Sequence, residues 1–180
     1  MSELEGNLVN ADGLENWIWD KTVGNPYWAK AYKRNQDEKN RLQSLFSLKT
    51  DFTDNFNLIL RTGFDFLNRN TKEYAALGSA VNSNYRGNMN QGFSNNIEWN
   101  SDFLFNYNKN LSDLIGVGLS VGGNYRFNKS QGINQSGNGW RVPDFYNISN
   151  LENFNTGESF SEREVVSLYT LGNISYSDFL

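Results

Sequence analysis

Hydrophobic and polar residues alternate with a period of two along four stretches of the chain, the spacing of a β-strand with one face in an apolar medium and the other in water. In the first stretch Leu42, Phe46, Leu48 and Phe52 share a face, interrupted by Ser44 and Thr50, against Gln43, Ser47, Lys49 and Asp51. After Thr53-Asp54-Asn55 the alternation resumes with Phe56, Leu58, Leu60, Thr62, Phe64 and Phe66 against Asn57, Ile59, Arg61, Gly63 and Asp65, so the pair predicts a tight hairpin. The third stretch sets Ile97, Trp99, Phe103, Phe105 and Tyr107 opposite Glu98, Asn100, Asp102, Asn106 and Asn108. A turn is expected near Lys109-Asn110. The fourth stretch sets Ile115, Val117, Leu119, Val121, Tyr125 and Phe127 opposite Gly116, Gly118, Ser120, Gly122, Asn124 and Arg126. A less regular fifth strand carries Val166, Leu168, Ile174 and Tyr176 in phase, followed by a turn at Ser177-Asp178 and the start of a sixth strand at Phe179-Leu180.

These patterns predict strands over 41–53, 56–67, 96–108, 113–127 and 164–176. The turns after the first, third and fifth are short, whereas the connections 68–95 and 128–163 are long and rich in Asn, Gly and Ser. Short turns on one side and long loops on the other are the habit of outer-membrane barrels. Structureless connections of more than about 12–15 residues are uncommon in compact soluble domains. Strand length points the same way, because a tilted transmembrane strand needs about 9–11 residues and the mode for soluble strands is about 5–6. The fold class expected is therefore all-β: an antiparallel up-and-down sheet forming part of a transmembrane β-barrel. Residues 1–40, with Trp17, Trp19, Tyr27 and Trp28, do not alternate cleanly and read as an outer loop and the end of a preceding strand. The rival reading is a secreted or surface β-sandwich that binds carbohydrate through exposed aromatics, since a sandwich also alternates.

Composition narrows the choice. The 180 residues include 13 Phe, 9 Tyr and 5 Trp, much aromatic surface for a chain that is only 38% hydrophobic. Aromatics near the strand ends, such as Phe52, Phe56, Phe66, Tyr107, Tyr125 and Phe127, suit the interfacial girdles of a barrel, although cross-strand pairing in a soluble sheet would also use them. No stretch reaches the roughly 20 apolar residues of a spanning helix, so a helical membrane protein is excluded. With no Cys and no His, thiol nucleophiles, Ser/His/Asp triads, thiolate or imidazole metal sites and disulfides are all unavailable. A net charge of -4 with scattered Lys and Arg argues against nucleic acid as a partner. Met1 to Asn10 carries Glu3 and Glu5 and no apolar run, so it does not read as a secretion signal, and the start of the gene is expected to lie elsewhere.

Candidate chemistry is sparse. Glu98 and Asp102 lie four apart on one polar face, as Arg61 and Asp65 do on the neighbouring hairpin. Paired carboxylates serve glycoside hydrolysis, but a water-facing barrel lumen supplies such pairs by chance, and no enzyme, metal or cofactor is expected. Trp140, Phe145 and Tyr146 fall in the long connection before the fifth strand. They are candidates for contact with a substrate or a lid, and equally for the loop's own small core. Gly116, Gly118 and Gly122 on the polar face of the fourth strand are expected to leave room for something packed inside.

In order and spacing, several stretches resemble the SusC/RagA-like TonB-dependent outer-membrane transporters of Bacteroidetes-type bacteria. They are Asn25-Pro26-Tyr27-Trp28, then Ser47-Leu48-Lys49-Thr50-Asp51-Phe52-Thr53-Asp54 with Arg61-Thr62-Gly63-Phe64-Asp65. Val142-Pro143-Asp144-Phe145-Tyr146-Asn147-Ile148-Ser149-Asn150, Ser161-Glu162-Arg163 and Tyr176-Ser177-Asp178-Phe179-Leu180 follow. The resemblance covers about residues 20 to 180 and implies a middle portion, some five strands, of a barrel of about 22 strands. It further implies import of oligosaccharides or peptides beneath a SusD-like lipoprotein, driven by the TonB complex through plug and N-terminal parts missing from this sequence. On that reading Phe46, Leu48, Leu58, Leu60, Phe64, Trp99, Phe103, Phe105, Val117, Leu119 and Val121 face outer-membrane lipid, and Arg61, Asp65, Glu98 and Asp102 face the lumen.

Overall fold

The computed structural model describes residues 7–16, 24–80 and 85–176. Trp17, Trp19 and the turn expected at Ser177-Asp178 lie outside the described residues. Helix α1 (Pro26–Tyr32) is followed by five strands, β1 (Lys33–Thr53), β2 (Phe56–Ala75), β3 (Asn88–Ser112), β4 (Ile115–Trp140) and β5 (Leu151–Tyr176), with one 3-10 turn at Ile148–Asn150. The strands form a single sheet in the order β1-β2-β3-β4-β5, the antiparallel up-and-down class expected. A sandwich needs a second sheet packed on the first, and the described residues contain none. No described helix is long and apolar enough to cross a membrane.

Both hairpins close with two-residue turns whose first hydroxyl caps the turn. Thr53 Oγ1 accepts from Asn55 N at 3.3 Å, and Ser112 Oγ accepts from Leu114 N at 3.3 Å. The second turn thus lies at Asp113-Leu114, and the turn expected near Lys109-Asn110 is a correction: β3 runs straight through both residues. Neither residue breaks a strand when a partner is present. Asn110 reaches across to the glycine at position 116, where its Oδ1 occupies space a side chain would need.

The larger departure concerns the long connections. The strands run to between 20 and 26 residues, and most of 68–95 and 128–163 is strand extension. The physical reason is visible in the residues. Beyond Phe66 the apolar positions of β2 give way to Asn68, Asn70 and Lys72, so both faces become polar and the hydrophobic alternation vanishes. The backbone ladder needs no apolar side chain to continue, and amide pairs mark its course, as where Gln91 Nε2 donates to Gln135 Oε1 at 2.6 Å. Residues 1–40 also differ from the loop expected, because they contain α1 and the first residues of β1. Asn25 caps α1, its Oδ1 accepting from Tyr27 N at 2.9 Å, and Pro26 at the first helical position supplies a preset φ.

By packing, the chain divides into two units. One comprises Met1–Asn40, Asn68–Ser94 and Gln131–Ser159; the other comprises Arg41–Leu67, Asn95–Ser130 and Phe160–Leu180. Among the described residues every fully buried hydrophobic side chain, namely Trp28, Ala75, Ala76, Met89, Trp140 and Leu151, belongs to the first unit. The described residues of the second unit form a two-faced sheet without a fully buried hydrophobic side chain.

Candidate functional site

In the second unit most large apolar side chains fall on one face, although Leu45, Ile59 and Leu171 lie on the other. Phe46 is 63% exposed and Leu168 78% exposed, and Leu48, Leu60, Phe64, Trp99, Phe105, Leu119 and Val121 are exposed as well. Leu58, Phe103 and Val117 on the same face are half-buried by their neighbours. Phe46, Leu60, Phe103, Tyr125, Val166 and Leu168 line a shallow groove of about 460 Å³ across that face, so the period-two reading places these side chains together in space. Near the two-residue turns Phe52, Phe56 and Phe105 form a chain of rings, with centroids 5.7 and 5.8 Å apart. Further along the strands Trp99 meets Tyr125 edge-on at 6.3 Å. The polar tips of that second pair are satisfied: Trp99 Nε1 donates to Thr62 Oγ1 at 2.9 Å, and Tyr125 OH donates to Glu164 at 3.2 Å. Trp99 and Tyr107 on β3 lie about 27 Å apart along an extended strand, close to 20 Å for a strand tilted as in barrels, which approaches the ~25 Å apolar band such proteins present.

The opposite face is polar and cross-linked sideways. Arg41 grips Asp65 with Nε–Oδ1 at 2.9 Å, and Gln43 Nε2 donates to the same carboxylate at 2.9 Å. Arg61 Nε donates to Asp102 at 2.9 Å. The spacing along the strands suggested Arg61 with Asp65 and Glu98 with Asp102; the sheet instead pairs Arg61 with Asp102 and Asp65 with Arg41, each across neighbouring strands, and Glu98 enters neither pair. Arg41, the partner of Asp65, carried no signal in its own strand's pattern. With Asp102 held by Arg61, Glu98 and Asp102 do not form a free acid pair. Amides continue the cross-links, with Asn106 Nδ2 donating to Asn57 at 2.9 Å and Asn124 Nδ2 to Asn100 at 2.9 Å. The space over the β4 glycines is occupied by neighbours on the sheet: a Cβ on Gly122 would stand 2.4 Å from the Tyr169 ring, and one on Gly118 would stand 2.0 Å from Asn173 Oδ1.

The first unit holds the three aromatic candidates. Trp140 is 5% exposed, sits in a cluster with Met89 and Leu151, and donates its Nε1 to Ala75 O at 2.8 Å. A side chain so enclosed meets a ligand only if the cluster opens. Gly87, at φ +69°, is what lets the indole in, because any Cβ there would overlap it. Tyr146 is half-buried, stacks on Tyr74 with centroids 4.0 Å apart, and donates its OH to Asp144 at 3.0 Å. Phe145, between them in sequence, is 54% exposed. Elsewhere in this unit Arg69 holds Asp37 through two hydrogen bonds of 2.8 and 2.9 Å, and that hydrogen bonding outweighs partial desolvation to lower the Asp37 carboxyl to about 2. No group of three or more acidic residues able to hold a metal occurs among the described residues.

Burial raises the Tyr146 phenol to about 12, and the hydrogen bond to Asp144 adds to the effect. Folding raises this pKa above the ordinary tyrosine value of about 10, so the contribution to local stability is whole below pH ~10 and declines as the pH rises through the folded value. Alkaline titration of tyrosinate absorbance, taken as the difference between the native protein and Tyr146→Phe, is expected to show a single step near pH 12. A step at the ordinary value would mean the Tyr74–Tyr146 stack is open in solution.

No family model matches the sequence, and the search of curated proteins also returned no match. Solved structures do match. The RagAB peptide importer in its closed-closed state aligns with TM-score 0.75 and 13% identity over 93% of this chain and 20% of that one. The RagAB peptide transporter aligns with TM-score 0.74 and 14% identity over 93% and 20%. The open-open state of the RagAB importer gives 0.76 and 14% over 93% and 19%. The chain spans about a fifth of the length of these chains, and over that stretch it has the fold of the corresponding part of the RagAB structures.

Proposed function

We propose that this chain is a wall segment of an outer-membrane TonB-dependent transporter, with the apolar face of its second unit against lipid and the polar face lining the lumen. One observation carries the reading: in the second unit the sheet exposes large hydrophobic side chains along one face, and none of that unit's described hydrophobic side chains is fully buried. In water such a face is an aggregation hazard, whereas in a bilayer it is already in its preferred solvent. The likeness to RagAB supports the same reading, since the neighbours are transporters. The two-residue turns then face the periplasm and the connections before β3 and β5 face outward. A SusD-like lipoprotein covers the barrel, and exposed Phe145 is the residue we assign to lid or cargo contact. The TonB complex acts through parts outside this sequence. Cargo is an oligosaccharide or a peptide, and the peptide reading has the RagAB likeness behind it. We assign no catalytic role.

The test uses the full-length protein reconstituted into bilayers of brominated phosphatidylcholine. The fluorescence assigned to Trp99, taken as the difference between native protein and Trp99→Phe, is expected to be quenched by bromine in the acyl chains. The fluorescence of Trp140, taken in the same way, stays unquenched. Equal insensitivity of both would remove the lipid-facing assignment.

A further inference from the structure

Arginines on the polar face fall into two kinds. Arg41 and Arg61 are each gripped by an aspartate on the next strand, as Arg69 is in the first unit. Arg126 and Arg163 make no ion pair or side-chain hydrogen bond with any described residue. Their placement is well determined. On β4 Asn124 and Ser130 both bond to polar-face residues of β3, so Arg126 and Asn128 between them lie on that face. The register of β4 against β5 is set by Tyr169 lying over Gly122 and by Lys129 facing Glu162, which puts Asn128 opposite Arg163. Arg126 and Arg163 are therefore diagonal neighbours on adjacent strands, about 7–8 Å apart at the backbone and within joint reach of one small group. Arg163 also lines a cavity of about 460 Å³ together with Arg41, Asp65, Glu98 and Asn128.

Given the lumen-facing reading proposed above, we propose that Arg126 and Arg163 form a two-arginine binding site for a single carboxylate. Two planar guanidinium forks with free N–H donors fit the two oxygens of one carboxylate, and charge-assisted bonds of this kind are the stronger ones. The ligand class is narrowed by Glu98. It lies across β4 from Arg163 at about two strand spacings, some 10 Å, too far to pair with it but near enough to disfavour a polyanion. Arg41 does not compete, because Asp65 occupies its fork. The carboxylate has two sources, a soluble ligand or an acidic side chain of the full-length protein held within the lumen.

Phenylglyoxal labelling read by mass spectrometry separates these. The rates at Arg126 and Arg163 are compared with that at Arg34, an exposed arginine on the opposite face of its strand. An internal carboxylate makes both arginines about tenfold slower than Arg34 at low salt, with the rate restored at about 1 M NaCl, where the screening length is about 3 Å. A soluble ligand leaves both as fast as Arg34, slowed about tenfold when glutarate, but not uncharged glutaramide, is added at roughly ten times its dissociation constant. In that case Arg126→Gln also abolishes the protection at Arg163. Rates that respond to neither salt nor glutarate, whether fast or slow, overturn the proposal. Trp99 quenching reports only on the apolar face, so the lumen site can fail while the lipid assignment stands, and the reverse.

Discussion

Leu168→Arg is expected to destabilise the full-length barrel by about 2–4 kcal/mol, whereas Ser167→Arg, one residue away on the same strand, is expected to stay within about 0.5 kcal/mol of the native protein. Both positions are exposed, so burial within this chain does not separate them. On the proposed transporter reading, what separates them is the medium on each side of β5. Leu168 shares its face with Phe46, Leu60, Phe103 and Tyr125, and an arginine there carries charge into hydrocarbon. Ser167 points to the side that carries Arg61, Asp102 and the amide pairs, where a further guanidinium remains hydrated. Equilibrium unfolding in lipid vesicles measures the difference. Equal and small effects at both positions would mean that water bathes both faces, and the lipid assignment would be lost.

Glu15→Ala has the second large expected effect, confined to the first unit. Glu15 is 0% exposed, and its two oxygens accept from the backbone N–H groups of Asn25 and Ala80, each at 2.7 Å. Lys33 Nζ stands 3.8 Å away. One carboxylate thus fastens the cap of α1 to the residues after β2, a junction completed by Trp28 Nε1 donating to Ser79 Oγ at 2.9 Å. Truncation leaves one buried and one part-buried N–H group without acceptors at about 1–3 kcal/mol each, so the local cost is about 2–5 kcal/mol. Hydrogen exchange at the Asn25 and Ala80 amides reads it directly, with protection falling by roughly one to three orders of magnitude. Glu15→Gln retains one acceptor oxygen and should lose about half of that in free energy. Unchanged protection in Glu15→Ala would show that water already satisfies both amides.

Legibility from sequence followed the hydrophobic effect closely. Wherever one face of a strand was apolar, as from Phe56 to Phe66 or from Ile115 to Phe127, type and face could be read from the residues. Where both faces turned polar, as at Asn68 to Lys72 or Gln131 to Gln135, the strand continued on backbone hydrogen bonds that leave no periodic mark, and loops were expected instead. The hydroxyl-capped turn at Ser112 was obscured by Lys109-Asn110, which carries turn-forming residue types inside a strand.

The candidate sites divide in the same way. That Arg61, Asp65, Glu98 and Asp102 share a polar face follows from spacing alone, because alternation assigns every residue of a strand to one side or the other. Which arginine grips which aspartate does not follow, since those partners sit 24 and 41 positions apart in the chain and meet only through register. Trp140 is the plainest instance. Its neighbourhood in sequence is polar and glycine-rich, yet Gly87 and Ala75, distant along the chain, enclose it and take its N–H. The amino-acid order by itself thus determined two chemically distinct faces, because side-chain direction in a strand is a local property of the backbone. Strand length, ion-pair partners and the burial of Trp140 were decided only in three dimensions, because each depends on what a neighbouring strand places opposite.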